Sequence, residues 1–482
     1  MNRVSQKKTL LTLTRYAMVL AIGTVLVRLL TLGVYPLMDT TEARYGEMAR
    51  IMYETGNWIT PMFDYNVPFW GKPPLFTWLS AAGFEWLGVS EFAARMPHWV
   101  VGIMILVLTW ILAAKVRGRD EAWLATGILA TTTAFIVIAG AVMTDTALTL
   151  GVTLSMVGFW LSWEKQSRFW GYLFFVGLAI GMLAKGPLTM VLVGISLTLW
   201  LAQDQRWKRI PTCLPWVKGT LLFLAISLPW YVLAEWQSPG FLNYFIIGEH
   251  IKRFVVSGWQ GDLYGSAHDE VRGTIWLFWF LAALPWAPVL FYQVARFFKA
   301  GEEGVQTTQT GYMGYLWCWL LSPMLLFTMA GNILPSYVMP GLPALGLLIA
   351  GYHTRQPLPE KVFKIGLITP VLLVLVAGLL NLNLVGKEPE KELMAAWSTQ
   401  AEKENSALVY INKRPFSAQF YSAGKAQQMT TDLSTFLQEQ RQDAFLVLEK
   451  SAVPSGFLWD KQRCELRAES AKRQLVHCKV GS

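Results

Sequence analysis

The sequence contains little charge and little cysteine. Only 15% of its 482 residues are Asp, Glu, Lys or Arg, whereas 54% are hydrophobic and 13% aromatic. An average soluble domain has about 25% charged residues. This composition excludes an ordinary soluble protein and indicates a membrane protein. Four cysteines are also too few to hold a fold together by disulfides.

The positive charge of the chain is dispersed. The net charge is +9, but the Lys and Arg residues are spread through short loops. They form no contiguous basic, aromatic-rich surface of the kind that binds nucleic acid, so we exclude a nucleic-acid partner. Membrane topology explains them better, because Lys and Arg concentrate in the cytoplasmic loops of membrane proteins.

Apolar runs recur along most of the chain. A helix needs roughly 20 apolar residues to cross a bilayer, and runs near that length are separated here by short polar breaks. They predict about eleven transmembrane helices, in an all-α polytopic domain of residues 1–384. The predicted spans are Tyr16–Leu37, Trp99–Ala114, Ala122–Gly140, Ala147–Trp163, Trp170–Leu183, Leu188–Ala202, Gly219–Leu233, Thr274–Val294, Tyr312–Ala330, Tyr337–Tyr352 and Phe363–Leu384.

The basic residues predict which loops share a face. If the amino terminus is cytoplasmic, every loop on that side is basic, as the positive-inside rule requires. No small-residue cleavage site follows the first span, so we expect a retained anchor. The opposite, outer face then carries loops 38–95, 141–145, 184–187, 235–273 and 331–336, together with residues 385–482.

The first outer loop is too long and amphipathic for a simple connection. The stretch "EARYGEMARIMYETGNW" has apolar Met48, Ile51 and Met52 between charges, which predicts a helix lying in the membrane interface. Pro74–Gly88 predicts a second one, with its proline at the start, where a helix tolerates it. Between them, "NVPFWGKPP" is a turn-rich connector.

Residues 385–482 predict a small soluble α/β domain with nothing catalytic in it. Strands are expected at "ALVYINK", "AQQM" and "AFLVLEK", and helices at "FSAQFYSAG" and "DLSTFLQEQRQ". Cys464 and Cys478 both lie in this outer domain, where a disulfide and two free thiols stay open as alternatives. Cys213 and Cys318 are interpreted as inert small hydrophobes.

Ionisable residues at the outer ends of the spans are the candidates for function, because charge near hydrocarbon is costly. They come from separate loops, yet the predicted topology places all of them on one face. Two acids are candidate catalytic residues, and nine residues are candidates for binding substrate. The acids are Asp39 and Glu42, and the others are Arg44, Tyr45, Lys72, Asp145, Lys185, Glu249, His250, Arg253 and Tyr337.

Each candidate also has a purely structural interpretation. Asp39 and Glu42 fit a helix-capping pattern in "DTTE", and Asp145 stands where it could cap a helix. The cations could be anchors that extend toward lipid headgroups, and a lone histidine such as His250 is more often a hydrogen-bonded structural residue. Against this, several cations on one face would hold a phosphate well, and a carboxylate beside them could act as a general base.

The outer-face motifs resemble those of a known family. The stretches "DTTEARYGEMARIMYETGNWITP", "GKPPLFTWLSA", "MTDTALTL", "LAKGPL", "LPWYVL", "GEHIKRF" and "LPSYVMPGLPALG" have the order and spacing found in bacterial polyprenyl-phosphate-dependent glycosyltransferases. These enzymes are relatives of the lipid A aminoarabinose transferase and the protein O-mannosyltransferases. The resemblance covers Tyr16–Tyr352, and the carboxyl-terminal domain also resembles the periplasmic domain of the aminoarabinose transferases.

The resemblance implies a GT-C fold whose active site lies between the outer loops and the membrane. It places the first-loop acid at Asp39 or Glu42. It places the phosphate-binding cations at Arg44, Lys72 and Arg253, with Tyr337 nearby. The implied location is a bacterial inner membrane, with a cytoplasmic amino terminus and a periplasmic carboxyl-terminal domain.

Two departures from the family pattern bear on the chemistry. The family has adjacent Asp and Glu before its Arg-Tyr pair, whereas Thr41 precedes Glu42 here. It also has a metal-binding Glu before the Lys-Pro step, where this chain has Gly71. No cofactor is therefore firmly predicted, and a divalent cation stays open.

The expected function is inverting transfer of a sugar from a polyprenyl-phosphate donor to a lipid, such as lipid A, or to another cell-envelope glycan. The partners are the donor, the acceptor and membrane lipids. The alternative is a flippase for a lipid-linked sugar, which would need ionisable groups near mid-bilayer and paired repeats. The sequence has charges gathered at one face and no repeat of fixed period. A scaffold or sensor that signals through the soluble domain is the third interpretation.

Overall fold

The computed structural model describes residues 3–203, 206–256, 259–265, 270–299, 311–386, 389–404, 406–430, 433, 435–436, 442–452 and 464–479. Helices dominate the part before residue 386. Their bounds are α1 (Arg3–Thr31), α2 (Thr41–Thr55), α3 (Leu75–Leu87), α4 (Glu91–Val116), α5 (Arg119–Ala130), α6 (Thr133–Ile138), α7 (Thr144–Lys165), α8 (Arg168–Lys185), α9 (Leu188–Ala202), α10 (Ile210–Cys213), α11 (Trp216–Gln237), α12 (Arg253–Val255), α13 (Thr274–Ala282), α14 (Ala287–Lys299), α15 (Tyr312–Phe327), α16 (Leu342–Arg355), α17 (Glu360–Phe363) and α18 (Ile368–Asn381). A π-helix, Asn243–Lys252, precedes α12.

Six of the described helices are long and apolar enough to cross a bilayer, or eight if each of two sharply bent helix pairs is one span. The chain is thus a multi-pass membrane protein, while the count of eleven stays a prediction. The expected span Ala122–Gly140 is broken between α5 and α6. Thr131 and Thr132 donate their hydroxyls to helix carbonyls at this break, and the Thr133 amide donates to the Leu284 carbonyl instead of continuing the helix.

The two helices expected in the first outer loop are present as α2 and α3. Between them, β1 (Met62–Asp64) and β2 (Val67–Pro68) form a short antiparallel hairpin. Most of α2 is buried, including Met48, Ile51 and Met52. This helix is therefore covered by protein along much of its length, because α3, the hairpin and the carboxyl-terminal region all pack on it.

The elements of the carboxyl-terminal region are α19 (Lys391–Glu404), β3 (Ala407–Ile411), α20 (Phe416–Tyr421), β4 (Ala426–Met429), β5 (Ala444–Glu449), β6 (Cys464–Glu469) and β7 (Arg473–Cys478). The five strands form a sheet of order β4-β3-β5-β7-β6. Strands β4, β3 and β5 run parallel, while β7 is antiparallel to both of its neighbours. The predicted strands and the helix at "FSAQFYSAG" are confirmed, whereas α19 was missed and "DLSTFLQEQRQ" lies largely outside the described residues. A disulfide joins Cys464 to Cys478.

Helix α20 attaches the carboxyl-terminal region to the first outer loop. Phe420 is buried in one apolar cluster with residues of α2, α3 and α4. The Tyr421 hydroxyl donates to Glu91 Oε1 and accepts from the Leu37 amide, at 2.9 and 2.8 Å. Arg414 pairs with Asp64 of the hairpin. The loop before α20 is thereby held against the membrane domain.

Candidate active site

A polar cavity of about 360 Å³ lies among the segments that the topology places on the outer face. Six separate parts of the chain line it: the first outer loop, the start of α7, the end of α8, the segment that holds Glu249, Arg253 and residues 262–265, residues 334–337, and residues 413–416 up to the start of α20. Eight of the eleven candidates contribute to its wall. They are Arg44, Tyr45, Lys72, Asp145, Lys185, Glu249, Arg253 and Tyr337.

An ion pair connects two neighbouring helices at one wall of the cavity. Helices α7 and α8 are antiparallel neighbours, so the first turn of α7 meets the last turn of α8. Asp145 Oδ1 lies 2.7 Å from Lys185 Nζ, and that Nζ lies 4.5 Å from the centroid of the Tyr337 ring. An acid near a helix start and a cation near a helix end also suit the helix dipoles. The predicted cap at Asp145 is thus an ion pair that faces the cavity.

Glu249 holds the cations of the opposite wall together. Its carboxylate lies 2.7 Å from Lys72 Nζ and 3.0 Å from Arg253 Nη1. Arg253 also pairs with Asp262 at 3.3 Å. Burial raises the pKa of Glu249, but the charges of Lys72 and Arg253 outweigh burial and hold that pKa below its ordinary value. Glu249 is therefore ionised, and it positions two cations at the cavity surface.

Arg44 lies at the other end of the cavity with an unused donor. Its Nη1 donates to the Tyr264 carbonyl at 2.9 Å. Its guanidinium carbon lies 5.1 Å from the Tyr45 ring centroid and 5.9 Å from that of Phe416. Its Nε is buried and makes no hydrogen bond to any described residue. A buried donor without a partner is costly, so this atom suits an anionic ligand.

Neither of the two candidate catalytic acids, Asp39 and Glu42, lines the cavity, and their catalytic role stays a prediction. Asp39 accepts from the amide and the hydroxyl of Ser417, at the start of α20. It therefore fastens the carboxyl-terminal region. The predicted cap on α2 is not formed either, since Thr40 stands at that position without a side-chain cap.

Glu42 is committed to a buried ion pair. Both of its oxygens accept from Arg95, at 2.7 and 2.6 Å, and the Val142 amide donates to it at 3.3 Å. Burial raises the pKa of Glu42, but the charge and hydrogen bonds of Arg95 outweigh burial and hold that pKa below its ordinary value. A carboxylate with a lowered pKa and two strong donors is a poor general base.

His250 also lies outside this cavity, although it lines a smaller neighbouring one of about 100 Å³. Its Nδ1 lies 2.8 Å from the Phe245 carbonyl oxygen, and its Nε2 lies 3.1 Å from the Lys185 carbonyl oxygen. Both ring nitrogens are engaged with the backbone, so His250 joins the π-helix to the end of α8. Within the described chain, no three His, Cys, Asp or Glu side chains are grouped so that they could hold a metal ion.

The sequence reasoning missed several residues of the cavity wall. Asp262 and Tyr264 follow the π-helix, and burial raises the pKa of Tyr264 to about 12. Lys413 and Phe416 come from the carboxyl-terminal region, which was expected to contain nothing catalytic and from which no candidate residue was taken. Thr41 was recognised only as a departure from the family pattern. The sequence offered one signal for Lys413, namely its place at the end of a predicted strand, directly before Arg414 and Pro415.

Comparison with known proteins agrees with this architecture. A family model described as dolichyl-phosphate-mannose-protein mannosyltransferase matches residues 9–245. Among curated proteins, the undecaprenyl phosphate-alpha-4-amino-4-deoxy-L-arabinose arabinosyl transferase of Erwinia tasmaniensis is 28% identical over 71% of this chain and 60% of its own length. That of Edwardsiella ictaluri is 30% identical over 66% of this chain and 56% of its own length. The chain thus spans less than two thirds of these relatives.

The fold is that of a solved aminoarabinose transferase. The crystal structure of ArnT from Cupriavidus metallidurans bound to undecaprenyl phosphate covers 96% of this chain and 98% of its own, with a TM-score of 0.77 and 17% identity. This likeness supports the expected GT-C-like, mostly helical fold with a small carboxyl-terminal sheet, while the number of spans stays a prediction. The apolar helices indicate a multi-pass membrane protein. The chain is therefore related to the aminoarabinose transferases and to the protein mannosyltransferases, and it shares the fold of ArnT.

Proposed function

We propose that this protein transfers a sugar from a polyprenyl-phosphate donor to a lipid or another cell-envelope glycan, with inversion at the anomeric carbon. The observation that carries the proposal is the cationic cavity built from six distant parts of the chain. The relatives named for such a donor, undecaprenyl phosphate-aminoarabinose, support the donor class.

The charge balance of the cavity suits the departing phosphate. Its lining includes five cations, Arg44, Lys72, Lys185, Arg253 and Lys413, but only three carboxylates, Asp145, Glu249 and Asp262. A sugar phosphodiester carries one negative charge, and the polyprenyl phosphate that leaves carries nearly two at pH 7. Cations placed where charge grows during the reaction lower its barrier. Lys72 and Arg253, which the resemblance assigns to the phosphate, are the cations placed to meet this growing charge.

Asp145 is the proposed carboxylate for the reacting centre, in place of Asp39 and Glu42. Only one of its oxygens is held by Lys185, while the other lies 3.5 Å from the Thr144 hydroxyl, at the limit of a hydrogen bond. This second oxygen is free to accept the proton of an acceptor hydroxyl as the hydroxyl attacks the anomeric carbon. If the acceptor is itself a phosphate, no base is needed, and Asp145 then orients groups and stabilises positive charge at that carbon.

The proposal includes an orientation and a division of the chain. The amino terminus is cytoplasmic, about eleven spans cross the inner membrane in residues 1–384, and residues 385–482 form a periplasmic domain. The support is that all outer loops of the predicted topology meet at one cavity. A donor that stays in the membrane can present its sugar only at such a bilayer edge.

Replacing Lys72 by Ala is expected to lower sugar transfer about a hundred-fold, because one preorganised donor to the growing charge is lost. Glu249 keeps Arg253 as its partner in this variant, so the fold should be retained. Mass spectrometry of envelope lipids from cells with and without the protein identifies the sugar and the acceptor. The same measurement on cells that carry Lys72→Ala then gives the amount of sugar that the variant transfers. Lys361→Ala, an exposed cation at the start of α17, is the matched control. Undiminished transfer by Lys72→Ala would refute the proposed site.

A further inference from the structure

Some of the cations that line the cavity are paired with carboxylates, and others are not. Lys72, Lys185 and Arg253 are each paired with a carboxylate. Arg44 and Lys413 make no ion pair with any carboxylate in the described ranges. Both unpaired cations lie toward the carboxyl-terminal region, since Arg44 is close to the Phe416 ring and Lys413 is three residues before it. The surplus charge of the cavity is thus concentrated at this end.

The two ends of the cavity face different surroundings. Lys72, Lys185, Glu249, Arg253 and Tyr337 also line the smaller neighbouring cavity. Its wall continues to Leu188 at the start of α9 and Phe327 at the end of α15, so this end adjoins spanning helices and suits the phosphate of an isoprenoid lipid. Lys413, in contrast, is exposed to solvent on the loop between β3 and α20.

The loop that carries Lys413 is held rigidly against the membrane domain. Arg414 next to it pairs with Asp64, and Ser417 is bound by Asp39. Between these two attachments, the Phe416 ring packs edge-on against Phe63, with a centroid distance of 5.4 Å. Because strand β3 fixes the backbone before Lys413 and Arg414 fixes it directly after, the loop keeps Lys413 at the cavity wall, and less loop entropy is lost when a ligand binds there.

We propose that Lys413, together with Arg44 and Phe416, forms a subsite for an anionic group of the acceptor, so that the carboxyl-terminal region completes the active site. This subsite rests on the proposed function, because only a transferase needs an acceptor. The donor phosphate binds at the other end of the cavity, beside Lys72 and Arg253, which are paired with carboxylates. An acceptor carrying a phosphate reaches Lys413 from the aqueous side.

Ligand binding by the full-length protein in phosphatidylcholine vesicles tests the subsite without requiring turnover. The probes are undecaprenyl phosphate, lipid A carrying its phosphates, and the same lipid A after phosphatase treatment. Lys413→Ala is expected to weaken binding of phosphorylated lipid A about five-fold, the size of an exposed ion pair. Lys413→Glu should weaken it further. Both should leave undecaprenyl phosphate and dephosphorylated lipid A bound as before. Arg253→Ala should show the reverse pattern.

Lys472→Ala is the matched control, since Lys472 is an exposed lysine in the turn between β6 and β7. Equal losses for undecaprenyl phosphate and phosphorylated lipid A would overturn the subsite, as would unchanged binding in both Lys413 variants. Equal binding of the two lipid A forms by the unaltered protein would also overturn it. Failure of the proposed function looks different, because the unaltered protein would then transfer no sugar, whether or not it binds undecaprenyl phosphate.

Discussion

Asp145→Asn is expected to lower the rate of sugar transfer about a thousand-fold, within the range attributed to a positioned general acid or base. The amide retains an oxygen that can accept the hydrogen bond from Lys185, but it cannot take a proton or stabilise positive charge at the anomeric carbon. Binding of undecaprenyl phosphate should change little, because that phosphate is assigned to Lys72 and Arg253. Transfer rates with purified donor, alongside that affinity, measure the two effects separately.

The comparison with Asp39→Asn makes this test decisive. Asp39 faces Ser417 rather than the cavity, so transfer by Asp39→Asn should stay within a few-fold of normal. If Asp39→Asn abolishes transfer in folded protein while Asp145→Asn retains it, the assignment is reversed. Lys185→Met controls for the ion pair, since it removes the cation and leaves the carboxylate present.

Glu42→Ala is expected to destabilise the protein by about 3–5 kcal/mol, the usual cost of leaving a buried charge without its partner. The charge left behind is Arg95, which is completely buried. Arg95 also donates to the carbonyls of Leu32, Tyr35 and Pro36, so it holds the turn between α1 and α2. A lower thermal unfolding midpoint in detergent, with less folded protein in the membrane, is the expected measurement.

A double variant separates the structural role of Glu42 from a catalytic one. Replacing Arg95 by Met together with Glu42→Ala removes both charges, and loss of a whole buried pair is often tolerated far better than loss of one partner. Part of the stability should therefore return, as a coupling energy in the double-mutant cycle. Transfer per folded molecule should be nearly normal in this double variant. A folded double variant without activity would instead restore Glu42 as a catalytic candidate.

Only the three-dimensional structure showed which candidate residues line the cavity and which ones hold other parts of the fold. Arg44, Lys72, Asp145, Lys185 and Arg253 meet at the cavity, as their shared face predicted. Asp39 and Glu42 occur in the same short stretch as Arg44, yet their carboxylates point elsewhere. Along a helix, residues one or two apart point in different directions, so closeness in sequence to Arg44 did not place Glu42 beside it.

The carboxyl-terminal region shows a second limit of prediction from sequence, which is where a domain docks. Its strands follow from local hydrophobic pattern, because each strand buries residues of its own β-rich segment. Its contribution to the cavity depends on contacts between residues more than three hundred positions apart, such as Arg414 with Asp64. No local pattern encodes where such a domain docks.

By itself, the sequence determined that this is a membrane protein whose charged groups gather on one face. The reason is physical: hydrocarbon excludes charge, so the apolar runs and their polar breaks reveal the topology. Only the tertiary structure decided which acids face the cavity, that Glu249 gathers two of its cations, and that Lys413 belongs to its wall. Those outcomes depend on the direction of each side chain and on the docking of distant segments, which packing of the whole chain sets.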